Sequence, residues 1–485
     1  MSLPKSRQTR ANPRLNAPAT HVTRLARLFA AAVVCIVTTH ATAAPVSYHD
    51  HILPILKRNC QGCHNPSDAD GDFILTTHAG LMAGGSEGLA ITPGDADDSR
   101  LIDAISGDDP WMPKIGDPLT TEEIALFRRW IEEGATDDTP VLADTISALQ
   151  PPVYTAAPVV SALAYSPDGA TLAVSGFREI LLHASDGSKL LARLVGESHR
   201  IESLAYSADG SVLTASGGSP AQFGEVQIWD AKTHNLIRAV RTTFDTVYGV
   251  SVSPDAGLLA VGCGDETARV ISAADGQVLI KFENHSDWVF GTAFSVDGAH
   301  VITAGRDGAL KLIRAEDGAF VDDINASNKG YGGVNCIVRH PTADQILSAG
   351  SDRVPRLYRI FRETRRDVGN TDFNLIRAFE AQPGPVNAVA FSPDGSLIAV
   401  GSATGAARVY NVQDGTRVAD LEGDKVGVFA LAFHPDGKQL AAAGFDGQVR
   451  LFDVASGDLV TEFTPVPITA ANSEGQTEPS SGTQG

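Results

Sequence analysis

Two cysteines and a histidine fall within five residues of one another, in the segment Cys60-Gln61-Gly62-Cys63-His64. Two thiols three positions apart can form thioethers with the two vinyl groups of a haem, and a histidine that follows at once can bind the iron. A redox-active thiol pair would be expected beside a βαβ pattern, which is absent here. A zinc site would need two further ligands, with a second close pair. The motif therefore predicts one covalent haem c, with Cys60 and Cys63 as attachment points and His64 as the proximal iron ligand.

The second axial ligand of such a haem must come from elsewhere in the chain. Met112 lies 48 residues beyond His64, just before a predicted helix, where a loop can fold over the open face of the ring. The alternatives are His51, His78 and Met82, or no ligand at all. A thioether ligand raises the reduction potential and closes the iron to most small ligands. Met112 as the distal ligand therefore predicts electron transfer, whereas an open iron would favour sensing or catalysis.

Two amphipathic segments flank the motif and should position it. Apolar residues cluster just before the cysteines, and Pro54 falls in what would be a first helical turn, where proline is tolerated. Farther on, Thr120 and Glu123 form a capping box, and Gly134 ends the helix that they begin. The apolar face of that helix carries Ile124, Phe127 and Ile131. We expect this last helix to pack across the first one and close the haem crevice.

Residues 47–136 resemble a planctomycete-type cytochrome c domain. Besides the haem motif, the resemblance rests on Pro54-Ile55-Leu56, Gly84-Gly85, Pro93-Gly94, Ser99, Leu101, Met112-Pro113, Trp130-Ile131 and Gly134-Ala135. It implies that Cys60 and Cys63 bind haem, that His64 is the proximal ligand and that Met112 is the distal one. Lys114 departs from the family pattern, because a second proline is common after Met-Pro.

From about residue 158 the chain repeats a turn that follows a short apolar strand. The steps between successive turns are 41 to 52 residues, and the turns carry Asp168, Asp209, Asp255, Asp297, Thr342, Asp394 and Asp436. This period is typical of four short strands per unit, so the seven turns predict an all-β, seven-bladed propeller.

The repeats resemble those of WD-repeat proteins. Trp229-Asp230 and Phe452-Asp453 end third strands, and His199 and His285 precede first strands. No single blade has the full set of His, turn Asp and third-strand Trp that braces a blade in that family. The other histidines are scattered among different repeat positions, so we expect a platform that binds a protein and not an enzyme.

The first forty-odd residues have a composition of their own. Six basic residues and no acidic one precede an apolar run, Leu28–Val37, and Ala41-Thr42-Ala43 supplies a cleavage site. This predicts a signal peptide and a periplasmic or otherwise exported protein; the alternative is an uncleaved anchor. The apolar run is too short to span a bilayer comfortably, so no membrane span is expected after cleavage.

The predicted organisation is multidomain. It comprises a signal peptide (1–43), a small all-α c-type cytochrome domain (44–136), a linker (137–156), the propeller (157–465) and a disordered tail (466–485). We expect electron transfer through the haem, with the propeller as the protein-interaction platform. The alternative is a haem-based redox or gas sensor whose main role is binding through the propeller.

The charge of the chain bears on its partners. Asp and Glu number 58 against 38 Lys and Arg, which argues against nucleic acid and predicts a basic redox partner. The fifth repeat is an exception, because it carries Arg353, Arg356, Arg359, Arg362, Arg365 and Arg366. We expect either a surface that docks an acidic partner, such as the cytochrome domain itself, or a solvated hairpin.

Overall fold

The computed structural model describes residues 44–66, 68–139, 150–326, 330–363, 372–421 and 426–469. The predicted signal peptide, residues 140–149 of the predicted linker and residues 470–485 of the predicted tail lie outside the described residues. All the helices and strands given below belong to the unit that spans Val46–Gly485.

The N-terminal part of that unit is small and helical. A π-helical turn, Tyr48–Ile52, starts where the Ser47 hydroxyl accepts the Asp50 N–H at 2.9 Å. It continues into α1 (Leu53–Asn59), with Pro54 in the first turn. The remaining helices are α2 (His78–Ala83), α3 (Arg100–Ile105) and α4 (Thr121–Glu132). A short 3-10 turn spans Asp70–Asp72, and two-residue strands β1 (His64–Asn65) and β2 (Asp68–Ala69) pair antiparallel after the haem motif.

The predicted capping box starts α4. The Glu123 N–H donates to the Thr120 hydroxyl at 3.2 Å, and the Thr120 N–H donates to the Glu123 carboxylate at 2.9 Å. Phe127, Trp130 and Ile131 are buried on one face of this helix, which contacts the turn that precedes α1. The left-handed backbone of Gly134, with φ of 101°, ends it. The two helical segments predicted from the sequence are therefore confirmed, and together they form the core of this part of the chain.

The rest of the described chain is β-sheet. Six sheets follow one another, and within each sheet consecutive strands pair antiparallel. The first has seven strands: β3 (Leu163–Tyr165), β4 (Thr171–Ser175), β5 (Phe177–Ala184), β6 (Leu190–Tyr206), β7 (Val212–Ser219), β8 (Phe223–Asp230) and β9 (Leu236–Thr243). The other five have four strands each.

Those five sheets have the same strand order. The second comprises β10 (Val247–Val252), β11 (Leu258–Cys263), β12 (Ala268–Ser272) and β13 (Val278–Phe282). The third comprises β14 (Val289–Phe294), β15 (His300–Gly305), β16 (Leu310–Arg314) and β17 (Phe320–Asp323). The fourth comprises β18 (Val334–Arg339), β19 (Gln345–Gly350), β20 (Arg356–Arg359) and β21 (Leu375–Ala378). The fifth comprises β22 (Val386–Phe391), β23 (Leu397–Ser402), β24 (Ala407–Asn411) and β25 (Arg417–Leu421). The sixth comprises β26 (Val428–Phe433), β27 (Gln439–Gly444), β28 (Val449–Asp453) and β29 (Leu459–Phe463).

This succession of sheets is consistent with the β-propeller predicted from the repeats. The sheet count of six does not by itself give seven blades, because β6 is 17 residues long and joins two sets of strands. In its first half Leu194 lies opposite Ile180 of β5, and in its second half Leu204 lies opposite Ala215 of β7.

The repeated turns join first strands to second strands. In the turn after β6 the Ser207 hydroxyl donates to the Asp209 carboxylate at 2.6 Å, and the Ser211 N–H donates to the same carboxylate at 3.0 Å. Gly210 has φ of 70°, which favours glycine there. The same Ser–Asp bond occurs at Ser166/Asp168, Ser253/Asp255, Ser295/Asp297 and Ser392/Asp394.

The first and last sheets meet. The Val160 N–H donates to the Gly444 carbonyl at 3.0 Å, and Tyr154 forms a parallel bridge with Ile468. Leu163 of the first sheet also shares a buried cluster with Ala441 of the last.

A cavity of about 720 Å³ lies among the first strands of the successive repeats. Seven stretches of chain line it, within residues 161–163, 202–208, 250–254, 292–296, 336–341, 387–389 and 430–431.

Among the described residues no helix is long and apolar enough to cross a membrane.

Candidate haem crevice

The haem motif forms a turn at the end of α1. The Cys60 N–H donates to the Leu56 carbonyl at 2.9 Å, and the His64 N–H donates to the Cys60 carbonyl at 3.1 Å. The chain thus continues in helical sense from α1 through the motif. Cys60, Cys63 and His64 all line one crevice, so the turn brings the predicted attachment points and the predicted proximal ligand together.

The orientation of the His64 ring is set by a backbone carbonyl. Its Nδ1 lies 3.2 Å from the oxygen of Phe73, which can only accept, so Nδ1 carries the proton. The Phe73 ring also contacts the imidazole edge to face, with 5.6 Å between ring centroids. The lone pair therefore belongs to Nε2, which is the nitrogen that a metal would bind. This bond could not be predicted from the sequence, because a carbonyl acceptor is a property of the fold and not of a residue type.

A buried amide ties the motif to the segment that carries Phe73. The Gln61 side chain is buried and donates to the Leu75 carbonyl at 2.7 Å, and the Leu75 N–H donates to the His64 carbonyl at 2.9 Å. Asn65, also buried, donates to the Gln61 carbonyl at 3.0 Å. These bonds hold the motif against the segment that carries Phe73 and Leu75 before any ligand is bound. We did not single out Gln61 from the sequence, since the middle of the motif carries no chemical requirement.

The crevice has a volume of about 400 Å³ and a mainly apolar lining. Besides the motif residues, its walls include Phe73 and Leu75, Leu89 and Ala90, and Leu101, Ala104 and Ile105 of α3. No residue of α4 lines it, so the prediction that the last helix closes the crevice is wrong. α4 instead packs its apolar face in the core, and the shorter α3 takes the place predicted for it.

Met112 lines the same crevice. Its N–H donates to the Ala104 carbonyl at 3.0 Å, which anchors the loop to α3, and its side chain is half-buried. All four residues predicted to hold the haem are therefore brought to one cavity.

The alternative distal ligands do not line this cavity. His51 accepts the Ser47 N–H through Nδ1 at 2.9 Å, and His78 donates from Nε2 to the Ala135 carbonyl at 2.7 Å. The ring of His78 also packs against Tyr48 and Trp130. Met82 packs against the helical core.

The donor set of the crevice fits a haem better than a bare metal ion. Within the described residues no group of three or more His, Cys, Asp and Glu side chains is placed to hold a metal ion. Cys60 and Cys63 are both free thiols, as covalent attachment requires. Burial, reinforced by the nearby Cys63, raises the pKa of the Cys60 thiol to about 11, so it is neutral at pH 7. An apolar cavity with two thiols, an imidazole and a thioether in its lining is the set that a c-type haem uses.

Two basic side chains line the crevice, and each has an acidic partner. Lys114 Nζ lies 3.5 Å from the Asp70 carboxylate. Arg100 donates to the Glu87 carbonyl at 2.6 Å and also pairs with the carboxylate of that residue. Lys114, the departure from the family pattern, therefore does not displace Met112 from the lining.

The propeller has parts of the WD bracing network. His285 Nδ1 lies 2.9 Å from the Asp307 carboxylate, and its Nε2 lies 2.8 Å from the Thr303 hydroxyl. Trp229, in another repeat, donates to Gln227 at 3.1 Å. The bonds are thus divided among repeats, as predicted from the sequence.

Three of the four described arginines of the fifth repeat pair with acidic residues. Arg356 lies 2.6 Å from Asp352, Arg359 lies 3.1 Å from Glu363, and Arg362 Nε lies 2.6 Å from Asp322. This pairing favours the solvated hairpin over a docking surface. Arg365 and Arg366 lie outside the described residues.

Comparison with known protein families separates the chain into two kinds of module. Residues 60–116 match the family described as Planctomycete cytochrome C. Residues 236–272, 276–314, 373–411 and 415–453 match the WD domain, G-beta repeat.

Curated relatives are WD-repeat proteins. The chain is 27% identical over 179 residues to the Angio-associated migratory cell protein of Homo sapiens, which covers 37% of this chain and 38% of that protein. It is 38% identical over 143 residues to WD repeat-containing protein 1 of Xenopus tropicalis, covering 29% and 23%. It is 30% identical over 91 residues to Periodic tryptophan protein 2 of Arabidopsis thaliana, covering 19% and 10%. The chain thus spans well under half the length of each of these three relatives.

Proposed function

Since residues 60–116 form a planctomycete-type cytochrome c domain and WD repeats follow it, we propose that this chain is an exported c-type cytochrome that transfers electrons. In this proposal one covalent haem is held in the crevice, and the propeller binds a partner protein. The observation that carries it is that Cys60, Cys63, His64 and Met112 all line the same apolar cavity.

The residues of the crevice have separate roles in this proposal. Cys60 and Cys63 would hold the haem through thioethers, and His64 would bind it through Nε2, which keeps its lone pair because Nδ1 donates to the Phe73 carbonyl. Met112 supplies the distal thioether. The haem would supply a reversible one-electron couple, while the apolar walls exclude water and so favour a high reduction potential. If His64 and Met112 both bound the iron, no position would be left for a substrate, so we propose no enzymatic role.

We further propose that the propeller has seven blades, with β6 shared by the first two. Its two halves pair with β5 and with β7, so the seven-stranded sheet contains two sets of four strands with one strand in common. The seven stretches that line the central cavity support the same number. The bridge between Tyr154 and Ile468 supports closure of the ring. A closed propeller leaves only short, protected sheet edges and offers loops on two faces for a protein partner.

The experiment that tests the proposed function is a reduced-minus-oxidised absorption spectrum of protein matured with a periplasmic haem-attachment system. The parent should show a covalent low-spin haem that does not bind carbon monoxide. Met112→Ala opens the distal position, so this variant should bind carbon monoxide and have a lower reduction potential. Met82→Ala is the matched control, because Met82 does not line the crevice, and it should behave as the parent does.

Three outcomes contradict the proposal in different ways. A parent that binds carbon monoxide has an open iron, and the gas or redox sensor then becomes the better interpretation. An effect of Met82→Ala equal to that of Met112→Ala would refute the assignment of Met112. Absence of covalent haem would refute the function as a whole. Export is tested separately, by sequencing the N-terminus of protein recovered from the periplasm: cleavage after Ala43 is expected.

A further inference from the structure

We propose that the mouth of the haem crevice is the docking surface for a basic electron-carrying protein. The inference rests on the proposed electron-transfer function and names its partner class and its contact surface. The rim of the crevice, defined here as Leu89, Trp111 and Ile115, is the centre of that surface.

The rim is apolar and exposed. Leu89 is 61% exposed, Trp111 is 60% exposed and Ile115 is 83% exposed, and all three line the crevice. In the described part of residues 46–139 these are all the large apolar side chains that are exposed. Exposed apolar side chains scattered over a surface need no explanation, but their confinement to the mouth of one cavity indicates a contact surface.

The predicted attachment point reaches the same mouth. Cys63 lines the crevice and is exposed, whereas Cys60 is only half-exposed. A haem joined to Cys63 would therefore have a covalent edge close to solvent, beside the apolar rim. A partner seated on the rim would exclude water from the path between the two redox groups.

The charge around the rim selects the partner. Residues 44–136 contain six basic and sixteen acidic residues. Of the basic ones, Arg100 and Lys114 line the crevice, but Glu87 and Asp70 already neutralise them. Exposed carboxylates also lie in the chain next to the rim: Asp108, Asp109 and Asp117. An apolar patch within an acidic surface fits a protein whose own apolar patch lies among lysines.

The propeller of the same chain is a poorer occupant. Residues 157–465 contain 26 basic and 37 acidic residues, so the two modules carry charge of the same sign. The basic cluster of the fifth repeat has its own acidic partners at Arg356, Arg359 and Arg362. The observations therefore favour a separate basic protein.

The test uses the full-length holoprotein and two probe proteins of similar size, a lysine-rich c-type cytochrome and an acidic flavodoxin. Stopped-flow absorption measures the bimolecular electron-transfer rate with each probe, and calorimetry measures binding. The rate with the basic probe should fall as salt is added, whereas the rate with the acidic probe should rise. The double variant Leu89→Ser/Ile115→Ser should lower the rate and the affinity about tenfold, through loss of apolar contact. Asp108→Asn/Asp109→Asn should lower the rate about threefold at low salt and leave it unchanged at high salt.

Two controls separate docking from damage to the haem. Val153→Ser changes an exposed apolar residue of the region before the propeller strands, 78% exposed, and should leave both rates unchanged. The spectrum of every variant should show the same covalent low-spin haem as the parent, and the reduction potential of each variant is measured so that its electron-transfer rate can be corrected for any change in driving force. Docking of a basic protein at the rim is refuted if the double variant keeps the parent rate, or if the acidic probe binds the parent more tightly than the basic probe does. It is also refuted if gel filtration shows that the parent is a dimer and the double variant is a monomer.

Failure of the docking surface and failure of the proposed function give different results. If dithionite reduces the haem and the double variant Leu89→Ser/Ile115→Ser reacts as fast as the parent, docking at the rim is wrong and electron transfer stands. If the parent holds haem but reacts with neither probe, the electron-transfer function itself is wrong.

Discussion

The chemistry of the crevice depends on single atoms held by the backbone. The Phe73 carbonyl fixes the protonated nitrogen of His64, and the buried Gln61 amide holds the motif against the same segment. Orientation is therefore established by hydrogen bonds of the protein alone, so a ligand that enters the crevice meets a preformed site. Cys60 and Cys63 differ, because the first is half-buried and the second is exposed.

At this scale we predict unequal reactivity of the two thiols in protein produced without haem attachment. The thiolate is the reactive form, and burial raises the pKa of Cys60 to about 11. Cys63 should be alkylated first by iodoacetamide at pH 8, and the rate at Cys60 should continue to rise up to about pH 11. Mass spectrometry of the tryptic peptide at successive times measures both rates. Urea-unfolded protein is the control, in which the two rates should converge; equal rates in the folded protein would contradict the prediction.

At the scale of elements, the repeated Ser–Asp turn links a sequence signal to local stability. Ser207 and Ser211 donate to the Asp209 carboxylate and lower its pKa to about 2, with the Ser207 hydroxyl as the largest cause. A carboxylate with a lowered pKa stabilises the folded state above its unfolded pKa of about 3.9, and this contribution is lost as the pH falls towards 2. The same bond recurs in four other turns, where the pKa of the Asp is also lowered.

We therefore predict that the propeller loses stability between about pH 4 and pH 2. Asp209→Asn should lower the urea midpoint at pH 7 and should make it depend less on pH across this window than in the parent. Ser207→Ala removes the largest cause of the pKa shift and should fall between the two. Urea titrations at pH 7, 4, 3 and 2 measure the midpoints. Parallel curves for parent and Asp209→Asn would show that this carboxylate has no part in acid unfolding.

The sequence predicted elements well where their signals are local. The haem motif, the capping box of α4 and the repeated turns are each contained in a few residues, and each is present in the fold. α3 was missed because its six residues are too few to show a helical period. The shared strand β6 was missed because residues 196–200 contain the kind of residues that end a strand, yet pairing with β5 and β7 extends it through them. The Phe73 carbonyl could not be found at all, since its position depends on tertiary contacts.

At the scale of the molecule, the first and last sheets are joined by residues that are far apart in the chain. Tyr154 bridges to Ile468, and the Tyr154 hydroxyl donates to Glu179 at 2.7 Å. The Glu179 side chain is fully buried and is held by two bonds of 2.6 Å from Arg193. These contacts therefore include a buried ion pair. Removing one of its two side chains destabilises the fold, because the charge of the other stays buried without a partner.

We predict that Arg193→Met destabilises the propeller by about 3 to 5 kcal/mol, because it leaves the Glu179 carboxylate without its charge partner. The matched control is Arg241→Met, which removes an exposed pair with Glu197 and should cost at most about 1 kcal/mol. Urea unfolding followed by far-ultraviolet circular dichroism measures the change, while the haem band reports separately on the cytochrome domain. Equal losses for the two variants would contradict the prediction.

The bridge between Tyr154 and Ile468 also determines the order in which the protein can mature. The helical part, whose buried core lies within residues 46–135, is synthesised about 330 residues before Ile468 is available. The crevice can therefore form, and accept its ligand, while the ring behind it is still open. The bridge, by contrast, cannot form until Ile468 has been made, so a truncation before this residue removes one of the contacts that join the first and last sheets, however complete the haem domain is.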